Sequence, residues 1–140
     1  MAINFYDKEE TGGIKNKNLL KNWLNYIILQ EKARPGKINI IFTTDNYLLE
    51  LNQTYLSRDY LTDIITFDYT ENEFVNGDLF ISIQRVKDNA NNFDVPYSAE
   101  LKRVMAHGLM HLLGYDDCNE KMKTEMRRME DKYLEVSPEI

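Results

Sequence analysis

Cysteine occurs once in this chain, histidine twice and tryptophan once, and no apolar run approaches the length of a membrane span. A single cysteine excludes an internal disulfide and fits a reducing compartment. The N-terminal M-A-I-N-F-Y-D-K-E-E lacks a basic segment followed by an apolar one, so no secretory leader is expected and a cytoplasmic location is. Internal repeats and low-complexity tracts are also missing, and 140 residues suit one domain, expected over 1–140, with a core of its own. An excess of positive charge is absent too. The net charge of −6 argues against a broadly basic surface.

What is present is unevenly distributed. Residues 1–40 carry seven basic and four acidic side chains, and residues 41–140 carry ten and nineteen. Lys15, Lys17, Lys21, Lys32, Arg34 and Lys37 can therefore form a local basic surface, or simply a solvated helix face with its flanking loops. Along the chain, periodicity predicts alternating strands and helices. Ile3–Tyr6 reads as a short strand, followed by a turn at Thr11-Gly12-Gly13. Leu20, Trp23, Leu24, Ile27 and Ile28 share one helical face, and Pro35-Gly36 reads as a break. Strands are expected at Lys37–Thr44, Asp63–Tyr69 and Gly77–Ile83, with Thr70–Asn76 as a polar connection between the last two. Asp45 is a candidate N-cap for a helix with Leu48, Leu51 and Tyr55 on one face. Further helices are expected over Gln84–Asn92, from near Ser98, and along a last stripe of Met122, Met126, Met129, Tyr133 and Val136. The sum is a small sheet with helices over it.

The scarcest side chains fall together, in M-A-H-G-L-M-H-L-L-G-Y-D-D-C-N-E, Met105 to Glu120. Leu101, Val104, Met105, Leu109, Leu112 and Leu113 occupy most of the circumference, so this helix is expected to be central. His107 and His111 lie about 6 Å apart along its axis on one side, the spacing at which two imidazoles chelate one cation. Gly114 suits the left-handed residue that ends a helix, after which Asp116, Asp117 or Cys118 can supply a third ligand. Three protein ligands and an open position describe a catalytic centre, whereas structural zinc sites are normally filled by four. The alternative is a pair of packed core histidines. An HExxH peptidase is disfavoured, because Gly108 stands where its glutamate base would be. A glycine inside a helix costs about 1 kcal/mol against alanine, so Gly108 is expected to let backbone or substrate approach the metal closely.

H-G-L-M-H-L-L-G-Y-D-D resembles the signature of the YbeY family of bacterial rRNA-maturation endoribonucleases, His-Gly-x-x-His-Leu-x-Gly-Tyr-Asp-His. L-N-Q-T-Y (Leu51–Tyr55), T-D-I-I-T-F (Thr62–Phe67) and G-D-L-F-I-S (Gly77–Ser82) extend the resemblance in order and spacing, best over residues 45–130. It implies an α+β fold, zincin-like, in which a small mixed sheet and about five helices surround a central metal-binding helix. It implies a hydrolase, a metal-dependent endoribonuclease specific for single strands, acting in 16S rRNA 3′-end maturation and ribosome quality control. The partners implied are precursor 16S rRNA and ribosomal or small-subunit proteins, with no membrane. One divalent metal ion, zinc, is implied, held by His107, His111 and the residue at the third ligand position. That position is Asp117, where the family has histidine. A carboxylate is an accepted zinc ligand, and with two histidines it also suits manganese or iron. Its other reading is a capping box with Glu120, and Cys118 is the rival ligand. Asp116 is expected behind the ligands, orienting a histidine or the Gly114-Tyr115 turn.

The family also carries an arginine directly after Tyr55, where this chain has Leu56, with Arg58 two positions on. Arg58 is taken with His107 and His111 as catalytic, offsetting phosphate charge, or else as a surface partner of Asp59 or Asp63. RNA contact is expected to run through Arg58 and the basic N-terminal helix, with a shallow salt dependence. Two other classes stay open: a non-catalytic ribosome-assembly factor with a structural metal, and a metallohydrolase of another substrate.

Overall fold

The computed structural model describes residues 2–8 and 14–140; the turn expected at Thr11-Gly12-Gly13 lies outside the described residues. The described residues form four strands and five helices, in the order β1 (Ala2–Asp7), α1 (Lys17–Gln30), β2 (Arg34–Thr43), α2 (Asp45–Tyr55), β3 (Ile64–Asp68), β4 (Phe74–Ser82), α3 (Ile83–Phe93), α4 (Tyr97–Leu112) and α5 (Glu120–Leu134). The sheet runs β1-β2-β4-β3. β2 pairs in parallel with β1 and β4, and β3 pairs antiparallel with β4, so the sheet is mixed and the fold α+β.

Strand alternation sorts the two faces. Ile38, Ile40 and Phe42 of β2 stand in register with Gly77, Leu79 and Ile81 of β4, and all three β2 residues are buried with Leu79 and Ile81 in one core. Leu20, Trp23, Leu24, Ile27 and Ile28 of α1 join that core, as do Leu101, Met105 and Leu109 of α4 and Met126, Met129 and Tyr133 of α5. Each such side chain stabilises the fold by about 2 kcal/mol. The Trp23 indole donates to the Tyr133 carbonyl at 2.9 Å, tying α1 to α5. α2 covers the opposite face, where Tyr47 and Phe67 both pack on Phe80.

Several boundaries differ from the sequence pattern, each for a local reason. β2 begins at Arg34, three residues before the expected start, because a bulge between Pro35 and Ile38 absorbs the proline. β4 also starts early, at Phe74, because the β3–β4 connection closes as a tight turn with Asn72 in the left-handed region. Thr44, not Asp45, caps α2, its hydroxyl accepting from the Tyr47 amide; Asp45 instead accepts from the Ser82 hydroxyl and Arg85. Tyr55, Met122 and Val136, read as inward, are exposed.

Gly108 faces the sheet. A Cβ there would lie 2.7 Å from Ile64 Cδ1 and 3.1 Å from both Leu79 methyls. The missing side chain therefore serves the approach of α4 to β3 and β4, and not an approach to the metal. Ile64 borders open cleft and can swing aside, so Gly108→Ala is expected to be near neutral, overlap offsetting the gain in helix propensity. Gly108→Val adds two methyls against Leu79, which is buried, and should destabilise by about 2 kcal/mol. Thermal melting checks both. A valine variant as stable as wild type would show that this contact yields freely.

Candidate metal centre and cleft

α4 lies antiparallel to β4, with Gly108 over Leu79 and Leu112 over Gly77. Its apolar residues take the sheet side, which leaves His107 and His111 half-buried on another side, toward the β3 edge. The helix ends at Gly114, whose φ of 100° is the left-handed conformation expected of it. Tyr115 then anchors the returning chain, its hydroxyl donating to Glu31 at 2.6 Å beside Tyr133, which donates to the other oxygen of the same carboxylate. Asn119 caps α5, its side chain accepting from the Met122 amide, which leaves Asp117 free of the capping role.

This turn brings His107, His111 and Asp117 together. The two Nε2 atoms are 3.1 Å apart, and Asp117 Oδ2 lies 3.6 Å from the first and 3.7 Å from the second. Ligand atoms about 2.0–2.1 Å from a tetrahedral ion would be roughly 3.3 Å from one another. The donor set therefore fits a small divalent cation, and the triad is the group among the described residues that could hold one. Cys118 is exposed, its thiol donating to Asp116 Oδ2 at 3.2 Å.

Asp116 is exposed and bonds neither histidine. Its Oδ1 accepts from the Asp117 amide at 2.8 Å, so it shapes the turn that carries Asp117. The carboxylate behind the histidines is Glu130 of α5, buried, with Oε2 2.7 Å from His107 Nδ1 and Oε1 2.9 Å from Arg103 Nη1. Arg103 also binds Asp131 at 2.6 Å. By accepting a hydrogen bond from Nδ1–H, Glu130 favours the neutral tautomer whose Nε2 carries the free lone pair, facing Asp117 and His111. Sequence reasoning missed Glu130. The available signal was a glutamate flanked by Met129 and Tyr133, on the buried side of a helix.

The electrostatics follow from these contacts. Burial disfavours the His107 imidazolium, but the hydrogen bond and charge of Glu130, with Asp117 and Asp63 beyond, outweigh it and raise the His107 pKa above 6.5. Burial works against the Glu130 carboxylate too, and the His107 and Arg103 hydrogen bonds overcome it, leaving its pKa below 4.5. At Asp63 burial prevails over its backbone hydrogen bonds. Burial raises its pKa, although the nearby His107 charge opposes the shift.

Two cavities meet at the triad and share Asp63, Ile64, His107 and Asp117. One, of about 740 Å³, lies between β3 and the α4–α5 turn and takes in Asn52, Arg58, Tyr60, Thr62 and Thr66. Arg58 is exposed, and among the described residues its guanidinium pairs with no carboxylate; Asp59 accepts from Gln53 instead. The other, of about 810 Å³, lies between the ends of α3 and α5. None of Lys15, Lys17, Lys21, Lys32, Arg34 or Lys37 borders either cavity, so the basic N-terminal segment expected to meet RNA is not at the triad.

A mixed sheet with two histidines and an aspartate gathered beside its antiparallel edge strand defines an α+β protein with a donor set that could hold a metal ion at an open cleft. The family model described as Endoribonuclease YbeY matches residues 2–137. The chain belongs to that family, which places it among enzymes that hydrolyse RNA phosphodiester bonds. It is 47% identical over 134 residues to Endoribonuclease YbeY of Flavobacterium psychrophilum, covering 96% of this chain and 91% of that one. It is 46% identical over 134 residues to the protein of the same name from Cytophaga hutchinsonii, covering 94% of each. The solution structure of TM1509 from Thermotoga maritima is similar, with a TM-score of 0.68 and 30% identity over 96% of this chain and 87% of that chain. No described helix is long and apolar enough to cross a membrane.

Proposed function

We propose that this chain is a metal-dependent endoribonuclease, acting as one domain on single-stranded RNA in the cytoplasm and serving 16S rRNA 3′-end maturation and ribosome quality control with ribosomal partners. The observation that carries the reading is the His107–His111–Asp117 triad at the meeting of two open cavities, with the unpaired Arg58 in one of them. The triad holds one divalent ion, zinc, in a zincin-like setting. When bound, the ion supplies Lewis-acid chemistry, withdrawing charge from the scissile phosphodiester.

The chain's own residues do the rest. Glu130 holds His107 in the tautomer that presents Nε2, and Arg103 keeps Glu130 ionised. Asp116 sets the turn that presents Asp117. Arg58 meets the phosphate and offsets charge that builds up during cleavage. Asp63, whose pKa burial raises, stands where the two cavities meet at the triad.

The test is metal analysis of protein purified without a histidine tag, alongside cleavage of single-stranded and duplex RNA with and without chelator. About one zinc per chain, and single-strand cleavage abolished by chelation and restored by metal, are expected. A metal-loaded protein that binds but never cuts RNA would favour the assembly-factor reading.

A further inference from the structure

Asp117 and His107 do not close off one pocket; they stand between two. The cavity holding Arg58 has an exposed aromatic ring, Tyr60, and an unpaired cation. The second cavity repeats that pairing from unrelated elements. Phe93, at the end of α3, is 62% exposed and makes no ring contact among the described residues. Among the described residues, Arg127 of α5 is exposed and forms no ion pair, and Lys123, one turn earlier, has only a long 3.8 Å contact with the exposed Glu120. An aromatic face beside a cation is the local requirement for holding a nucleotide of any sequence, since every base has a π-face and every linkage a phosphate.

The second cavity also contains acids, of which Asp117 belongs to the triad. Glu130 and Asp131 are bound by Arg103. Glu100 is buried and Asp63 half-buried, so neither presents a fully exposed carboxylate, and burial raises the pKa of each. Arg128 is taken by Glu125 through two hydrogen bonds. The exposed charge left without a close partner among the described residues is positive, on Lys123 and Arg127. It lies on the first half of α5, in the part of the chain whose composition is otherwise acidic.

We infer that the cavity between α3 and α5 is a second nucleotide-binding lobe, in which Phe93 stacks a base and Lys123 and Arg127 hold the flanking phosphates. A single RNA strand then crosses the triad, with the segments on the two sides of the scissile linkage in separate lobes. This rests on the endoribonuclease reading above and extends it. It also explains how a protein of net charge −6 binds a polyanion: the contacts are few and sit on both sides of the site.

The experiment is fluorescence anisotropy of a labelled single-stranded RNA of about twelve nucleotides, long enough for both lobes, with the full-length protein in chelator so that no cleavage occurs. All three side chains are exposed, so their replacement leaves the fold intact. Phe93→Ala is expected to weaken binding about tenfold. Lys123→Ala with Arg127→Ala should weaken it comparably and reduce the salt slope by about 1.4, the contribution of two single-strand phosphates. Metal content of these variants should match wild type. If they bind as wild type does while Arg58→Ala is impaired, the second lobe is not used and the inference falls alone. If wild type shows no RNA binding at all, the endoribonuclease reading falls with it.

Discussion

Asp117→Ala is expected to strip the divalent ion from this protein, while Cys118→Ser leaves it in place. Asp117 Oδ2 stands 3.6 and 3.7 Å from the two imidazole nitrogens, the separations that ligands of one small ion require. Two histidines alone leave a chelate of two ligands, and the loss should exceed the roughly 10–100-fold typical of changes behind the ligands. Cys118 is not part of the group that could hold the ion. Its thiol is exposed and hydrogen-bonded to Asp116, and that bond and the Asp116 charge raise its pKa, so the thiolate that would bind metal is disfavoured. Asp117→His, which rebuilds three histidines, should retain the ion. Metal per chain after dialysis against a competing chelator reads all three variants. Metal retained by Asp117→Ala and lost by Cys118→Ser would mean that the third ligand is the thiolate.

Glu130→Gln should produce the second large effect, through a residue that need not touch the ion. The glutamate accepts from His107 Nδ1 and from Arg103, and removing its charge takes the nearest carboxylate from His107 and leaves Arg103 with Asp131 alone. A loss of about 3 kcal/mol in stability is expected, with a 10–100-fold loss in metal affinity. Its signature is in pH. In the metal-free wild type the raised His107 pKa contributes stability that is complete below 6.5 and is lost as pH rises through the folded value. The lowered Glu130 pKa contributes stability that is complete above 4.5 and is lost as pH falls through its folded value. Between about pH 4.5 and 6.5 both contributions are present, so the stability gap between wild type and Glu130→Gln should be widest there and narrow as pH rises through the folded His107 value. Metal uptake runs the other way. It must displace the His107 proton, so wild-type affinity should climb with pH past the ordinary histidine range. Melting curves and metal titrations across pH measure both. A gap that is flat with pH would separate Glu130 from His107 titration and leave it a packing residue.

Those two predictions differ in where their residues became visible. His107 and His111 were legible because a helix repeats every 3.6 residues, so an i, i+4 pair shares a side whatever the rest of the chain does. The core face of α1 was legible for the same reason, and all five of its expected residues are buried. Gly114 was legible because left-handed backbone at a helix end selects glycine. Strand boundaries were less so. A bulge lets β2 run through Pro35-Gly36, and Asn72 closes the β3–β4 turn early, both through hydrogen bonds to partners far along the chain or across the turn.

The sequence by itself determined the elements, the helical chelate and the family signature, because each depends on residues a few positions apart. Only the tertiary structure decided what surrounds them. Glu130 is twenty-three positions from His107, and no local pattern links the two. Asp116, which adjacency placed behind the histidines, turns to the backbone of its own loop. Gly108 sits between the two histidines in sequence, yet its bare Cα faces Ile64 and Leu79, because a helix turns each successive residue by about 100°. The basic N-terminal residues were the obvious cations by composition, but α1 packs over β2, away from the triad. Arg58, Lys123 and Arg127 reach the cleft because a loop after α2 and the first half of α5 converge on it. Periodicity reports which side of its own helix a residue takes, and only packing reports what that side meets.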